Sequence, residues 1–182
     1  MTPFEIGPPQ IVVLLVAAQR VAELAYARRN TRRLLAQGAV EAGAGHYPLF
    51  VLLHAAWLAA VFALTPADAP VSWTLLGVFA LLQLGRVWVI ATLGPYWTTR
   101  VITLPGAPLV RRGPFRLVRH PNYVVVALEL AVLPLAFGQW GLALLFSLLN
   151  VPLTAWRVRV EEAALSGRRA HGVDLASAGP VP

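Results

Sequence analysis

The stretch RRGPFRLVRHPNY, Arg111–Tyr123, sets four arginines, a histidine and two prolines between runs of apolar residues. Charges so dense are costly in hydrocarbon, so the segment reads as a connector on a membrane face. The rest of the chain supports that reading. Of its 182 residues 58% are hydrophobic and 13% are charged, about half the charged share of an ordinary soluble domain. So much apolar surface must be hidden by lipid as well as by a protein core, and the chain reads as an all-α integral membrane protein.

A spanning helix needs roughly 17–25 mostly apolar residues. Five stretches qualify, at about 9–27, 47–64, 72–92, 121–137 and 140–158. The net charge of +7 is carried by arginine, with no lysine in the chain. Arg28, Arg29, Arg32 and Arg33 follow the first span, Arg100 to Arg119 lie between the third and fourth, and Arg157 to Arg169 close the chain. The N-terminus and the turns TPADAP (65–70) and FGQW (137–140) carry none. Basic residues collect on the cytoplasmic side. Five spans, with the N-terminus outside and the C-terminus inside, place every arginine-rich connector there. Trp73 and Trp140 then fall at the outer interface, Trp97 and Trp156 at the inner one. Nucleic acid is not an expected partner, because the charges flank apolar spans and form no basic domain.

One membrane-embedded domain is expected over 1–166, followed by a loose Gly-, Ala-, Ser- and Pro-rich tail over 167–182. Pro134 is expected to kink or end the fourth span. No cysteine is present, which removes disulfides, thiolate metal sites and cysteine nucleophiles. No metal site is expected.

The connector from Gly94 to His120 is long and rich in Gly and Pro, and long ordered connectors are more often functional than idle. His120 precedes a proline and is pushed toward extended backbone, while Pro121 suits the first turn of a helix. The free N–H groups of that helix start favour an anion such as an amino-acid carboxylate. The competing reading is structural, with arginines on lipid phosphates and His120 as a cap. A second cluster is NVPLTAWRVRVEEAAL, Asn150–Leu165. Arg157 and Glu161, four apart, can share a helix face. Glu161 and Glu162 point about 100° apart, which suits two hydrogen-bonding roles better than a dinuclear metal site; ordinary surface ion pairs are the alternative.

The order GPFRLVRHPNY, a helical hairpin, then RVEEAAL resembles the isoprenylcysteine carboxyl methyltransferase family and its relatives among membrane phospholipid methyltransferases. The segment GRVWVIATLGPYWTTRVITLPGAPLVRRGPF extends the likeness over roughly 85–165. The first half, RRNTRRLLAQGAVEAGAGHYPLFVLLHAAWL, resembles a bacterial branch associated with alkylpyrone synthesis. The resemblance implies S-adenosylmethionine as methyl donor, held in a pocket facing the cytoplasm of a bacterial membrane. It is bound outside a Rossmann domain, whose glycine fingerprint the chain lacks. It implies that Ala107, Pro108, Leu109, Val110, Gly113 and Phe115 cover the donor, and that His120, Pro121, Asn122 and Tyr123 line its site. Glu161 or Glu162 would accept from its hydroxyl or amino groups, and Arg157 would orient an anionic acceptor.

The lipophilic acceptor is expected to enter from the bilayer and to present an acidic oxygen. A carboxylic acid with a pKa of about 4, or an acidic enol, is ionised at neutral pH and needs no base. An amine acceptor, as in phospholipid N-methylation, would first have to lose a proton, which Glu161 could take. A non-catalytic lipid-binding role is the third possibility. Within the spans Glu129 is anomalous, and an ionisable group at that depth is a functional candidate by default. Two roles are open to it: a catalytic one, facing the acceptor pocket and reading or deprotonating the acceptor's head group, or pairing with Arg86 or Arg20, near Gln83 and Glu23.

Overall fold

A computed structural model describes residues 5–107 and 109–170, with side chains described as far as Ser166. Five helices form a bundle: α1 (Pro8–Ala36), α2 (Tyr47–Leu64), α3 (Trp73–Leu93), α4 (Pro121–Ala136) and α5 (Trp140–Ala170). Four of them are long and apolar enough to cross a membrane, and α4 is a shorter apolar helix. Leu15, Leu52, Leu81, Leu84 and Leu148 point outward, each more than 60% exposed, a surface that only lipid covers favourably. The chain is an integral membrane protein.

The first span is longer than the sequence suggests. α1 runs to Ala36, so Arg28, Arg29, Arg32 and Arg33 ride on helix rather than in a connector. Arginine, leucine and alanine are strong helix formers, and nothing between 28 and 36 breaks the pattern. The helix stops where Gly38, at φ 87°, turns back onto the Leu35 carbonyl. At its other end Gly7 lies so close to the 65–70 turn that an added Cβ would sit 1.8 Å from the Ala67 oxygen. Gln10 Nε2 then donates to Thr65 O at 2.8 Å, pinning the start of α1 to the end of α2.

The main core joins Val13 and Val16 of α1, Trp57 and Val61 of α2, Phe79 of α3, Leu130 and Leu133 of α4, and Phe146 of α5. Pro134 ends α4 rather than kinking it. Phe137 N–H and Gln139 N–H both donate to its carbonyl, turning the chain into α5. Ser72 N–H donates to Ala136 O at 2.8 Å, so α4 finishes beside the beginning of α3.

At the opposite end β1 (Val40–Ala42) and β2 (Val101–Thr103) pair as an antiparallel ribbon, with Glu41 opposite Ile102. The sequence reading did not anticipate this ribbon, since three residues give no alternation to detect. A 3-10 turn at Gly113–Arg116 carries the chain back to α4. α5 continues through 167–170, where the tail was expected to start, and the tail from 171 lies outside the described residues.

Candidate functional site

Local constraints fix the position of His120. Its backbone is held at φ −128°, ψ 64° before Pro121, the first residue of α4, and its carbonyl accepts from Tyr123 N–H. One helical turn brings the Tyr123 ring against the imidazole, with centroids 5.5 Å apart. α5 packs alongside and presents two acids to that pair. His120 Nδ1 lies 3.7 Å from Glu161 Oε1, and His120 Nε2 lies 3.4 Å from Glu162 Oε1. The Glu161 carboxylate beside it, joined by Glu162, outweighs burial and holds the imidazole pKa above its ordinary value.

The two acids take different places, as their angular separation requires. Glu161 faces inward and accepts a hydrogen bond from the Tyr123 hydroxyl. Glu162 lies at the rim, where exposed Arg119 also reaches it at 3.0 Å. Arg157 and Glu161 meet through Tyr123: Arg157 Nε donates to the phenol oxygen at 3.0 Å. A second guanidinium nitrogen donates to Thr99 O at 2.7 Å, and the group lies 5.0 Å from the Phe50 ring centroid. Arg157 is only 8% exposed, so its charge is directed by these partners rather than by solvent.

Two cavities meet at His120 and Glu161. The larger, about 670 Å³, is bounded by Leu109, Val110, Phe115 and the arginine segment 116–119 on one side, and by Leu34, Leu93 and Tyr96 on the other. Its volume is that of a small-molecule site. The smaller, about 120 Å³, is bounded by Trp97, Thr98, Pro121, Asn122, Tyr123 and Arg157. Phe115 and Tyr96 also belong to both walls. Gly113 lies behind the lid. Its φ of 56° and a Cβ position 2.8 Å from Thr92 Oγ1 show why this turn, seated on α3, takes glycine. Ala107 closes a turn onto Leu104 O, and Pro108 lies outside the described residues.

Glu129 lines neither cavity. It accepts from Arg20 Nη2 at 3.0 Å and Gln83 Nε2 at 2.8 Å, and Arg86 Nη1 lies 3.4 Å away. Glu23 completes the cluster, 2.8 Å from Arg20 and 2.7 Å from Arg86. Two arginines and two glutamates thus balance inside the bundle, joining α1, α3 and α4. In this structure Glu129 makes the pairing contacts, with both arginines and Gln83 as its partners.

The isoprenylcysteine carboxyl methyltransferase profile matches residues 75–167, which contain α3, the connector, α4 and nearly all of α5. The chain belongs to the isoprenylcysteine carboxyl methyltransferase family. As a member of that family it is a membrane methyltransferase. It is 37% identical over 160 residues to the uncharacterized protein YpbQ of Bacillus subtilis (strain 168), covering 85% of this chain and 95% of that one. An uncharacterized protein of Haemophilus influenzae is 28% identical over 163 residues, 86% of this chain and 94% of its own. No solved structure matches.

Several residues of this candidate site escaped the sequence reading. Tyr96, Trp97 and the Thr99 carbonyl come from the tight Gly94–Tyr96 turn, whose Gly-Pro pair was visible but whose direction was not. Asn30 holds that turn, donating to Gly94 O and Trp97 O at 3.2 and 2.9 Å. It sits on the arginine-bearing extension of α1, so mistaking that segment for a connector hid it.

Proposed function

We propose that the chain is an S-adenosylmethionine-dependent O-methyltransferase acting on an acidic oxygen, carboxylate or enol, of a lipophilic acceptor. The observation that carries this reading is the convergence of both cavities on His120 and Glu161, with Arg157 buried in the wall of the inner one. The larger cavity suits the donor by its chemistry. Leu34, Leu93, Leu109 and Val110 offer apolar walls, Tyr96 and Phe115 offer rings, and Glu161 offers a carboxylate for hydroxyl or ammonium groups. Glu162 and Arg119 stand at its rim.

When bound, the donor supplies a methyl group on a sulfonium. Attack by an anionic oxygen forms the C–O bond as the C–S bond breaks, and its electron pair neutralises the sulfur. Charge is lost in this step, so alignment in a pocket shielded from water is most of what the protein must supply. Arg157 orients the anion, and Tyr123 holds Arg157 and Glu161 in register. An amine acceptor would need a free base. Glu161 is already engaged by Tyr123 and His120, which favours an acceptor that arrives ionised.

The same reading places five crossings in the bilayer, with the arginine-rich end and the site in the cytoplasm and the acceptor entering from lipid. The test is transfer of labelled methyl by the purified protein in lipid nanodiscs, offered a 6-alkyl-4-hydroxy-2-pyrone and N-acetyl-S-farnesylcysteine in parallel. Label should appear in at least one product and fall at least tenfold in His120→Ala. Absence of measurable affinity for S-adenosylhomocysteine would overturn the enzyme reading in favour of a lipid-binding protein.

A further inference from the structure

The buried guanidinium of Arg157 depends on the first half of the chain. Its Nη2 donates to the Thr99 carbonyl at 2.7 Å and its Nε to the Tyr123 hydroxyl at 3.0 Å. Rings flank it from two helices, with centroids 5.0 Å away at Phe50 of α2 and 5.8 Å away at Tyr123 of α4. With Nε and Nη2 both occupied, the direction in which Nη1 points is set by whatever fixes Thr99 and Tyr123. Tyr123 is fixed by α4. Thr99 lies in a bend between the Gly94–Tyr96 turn and β2, and backbone outside regular elements keeps its place only through its other ties.

α2 and the ribbon supply those ties. The Tyr47 hydroxyl and Thr99 Oγ1 are hydrogen-bonded at 3.2 Å. Tyr47 and Phe50 are three apart on α2, so one face of that helix meets both Thr99 and Arg157. The Arg100 guanidinium lies 4.7 Å from the Tyr47 ring centroid, and Glu41 of β1 holds it at 2.9 Å. The turn before α2 is also fitted against α5. A Cβ added at Gly43 would sit 2.6 Å from Val160, one turn past Arg157, and the buried His46 ring lies 5.5 Å from that of Trp156.

This scaffolding contributes direction more than stability. The Arg100 side chain is 42% exposed, and ion pairs so open to water stabilise a fold little. An arginine side chain has many rotamers to lose, and a misplacement of about 1 Å near reacting atoms can cost about a hundredfold in rate.

We infer that residues 41–50, which precede the 75–167 segment matched by the family profile, complete the site by positioning Arg157. Tyr47 is the positioning residue and acts through Thr99, while Glu41 and Arg100 keep Tyr47 and the ribbon in place. The inference rests on the reading above, in which Arg157 orients an anionic oxygen. The first half of the chain then belongs to the machinery of the site as well as to its anchoring in lipid.

The test takes the full chain in lipid nanodiscs and compares Tyr47→Phe, Thr99→Val, Thr99→Ser and the combination of the first two. The direct readout is exchange of the Arg157 Nε–H with water, followed by NMR on protein carrying isotopically labelled arginine, with the resonance identified by its loss in Arg157→Lys. Exchange should quicken about fivefold in Tyr47→Phe and in Thr99→Val, the scale of one hydrogen bond, and no further when the two are combined. Thr99→Ser keeps the hydroxyl and should keep the slow exchange. Affinity for S-adenosylhomocysteine should stay within about twofold, and the unfolding midpoint within about 2 °C, in Tyr47→Phe and Thr99→Val. With whichever of the alkylpyrone and N-acetyl-S-farnesylcysteine the wild type methylates, kcat should fall about fivefold in Tyr47→Phe while KM changes little, because the anion still meets a positive charge that is now poorly aimed.

Unchanged exchange in Tyr47→Phe and Thr99→Val would overturn the proposal. So would equally fast exchange in Thr99→Ser and Thr99→Val, which would assign the effect to packing, or faster exchange with unchanged kcat. Faster exchange joined to an about tenfold weaker S-adenosylhomocysteine affinity and a lowered midpoint would mean general loosening, and would also overturn it. Failure of the wild-type protein to bind S-adenosylhomocysteine is a different result: it removes the methyltransferase reading, while the exchange rates still decide whether residues 41–50 hold Arg157.

Discussion

At the scale of single residues His120 ties the stability of the site to pH. Its pKa is raised by the Glu161 carboxylate beside it, assisted by Glu162. A raised pKa means that the folded state binds the proton more tightly than the unfolded chain does. The resulting stabilisation is complete below the ordinary histidine value of about 6.5 and disappears as pH rises through the folded value. The thermal unfolding midpoint in nanodiscs should therefore fall as pH rises above about 6.5. His120→Gln should flatten that part of the profile while leaving the rest of the curve in place. An unchanged slope in the variant would assign the pH dependence to another group. The residue is recognisable from sequence by its place before Pro121, but its partners are not. Nothing in RVEEAAL says that Glu161 turns inward while Glu162 stays at the rim, because that depends on the rotation of α5 against α4.

At the scale of elements, the cluster of Arg20, Glu23, Gln83, Arg86 and Glu129 links α1, α3 and α4 by charge inside the bundle. Its four charged side chains are each no more than 14% exposed. Removing one partner of a buried set leaves an uncompensated charge, at a cost of about 3–5 kcal/mol. Glu129→Gln keeps the shape of the side chain but leaves two arginines facing one glutamate. It should destabilise the protein by about that amount in reversible denaturation, while the fraction that remains folded binds S-adenosylhomocysteine normally. Replacing Glu129 and Arg86 together, by Gln and Met, restores the charge balance and should recover much of the lost stability. Wild-type stability in Glu129→Gln, with methyl transfer abolished, would instead return Glu129 to the chemistry. The sequence marked Glu129 as the anomaly within a span and named the other four as its possible partners. It could not choose between catalysis and pairing, since that choice is made by which helix faces meet.

At the scale of the whole molecule, the helices were legible because lipid imposes a simple rule on length and composition. The ribbon of β1 and β2 and the extension of α1 were not, because one is too short for a pattern and the other looks like a charged loop. The hardest element is α4. Its 16 residues rise only about 24 Å, less than the ~30 Å of a typical hydrocarbon core. Yet its ends are fixed at both faces of the bundle. Gly113, shortly before it, packs on Thr92 at the end of α3, and Ala136 accepts from Ser72 just before the start of α3. A segment tied to both ends of a 21-residue apolar helix travels the same distance across the bilayer, with the turns before and after it making up the difference and the lipid thinning locally. The five crossings proposed above put the Gly138 turn on the same face as the 65–70 turn, opposite Arg112. The chain contains no cysteine, so the argument can be tested directly. Asp68→Cys and Gly138→Cys should both react with a membrane-impermeant thiol reagent in intact cells, whereas Arg112→Cys should react only after the membrane is opened. Protection of Gly138→Cys together with Arg112→Cys would mean that α4 re-enters without crossing; labelling of Arg112→Cys alone would invert the orientation and place the site outside the cell.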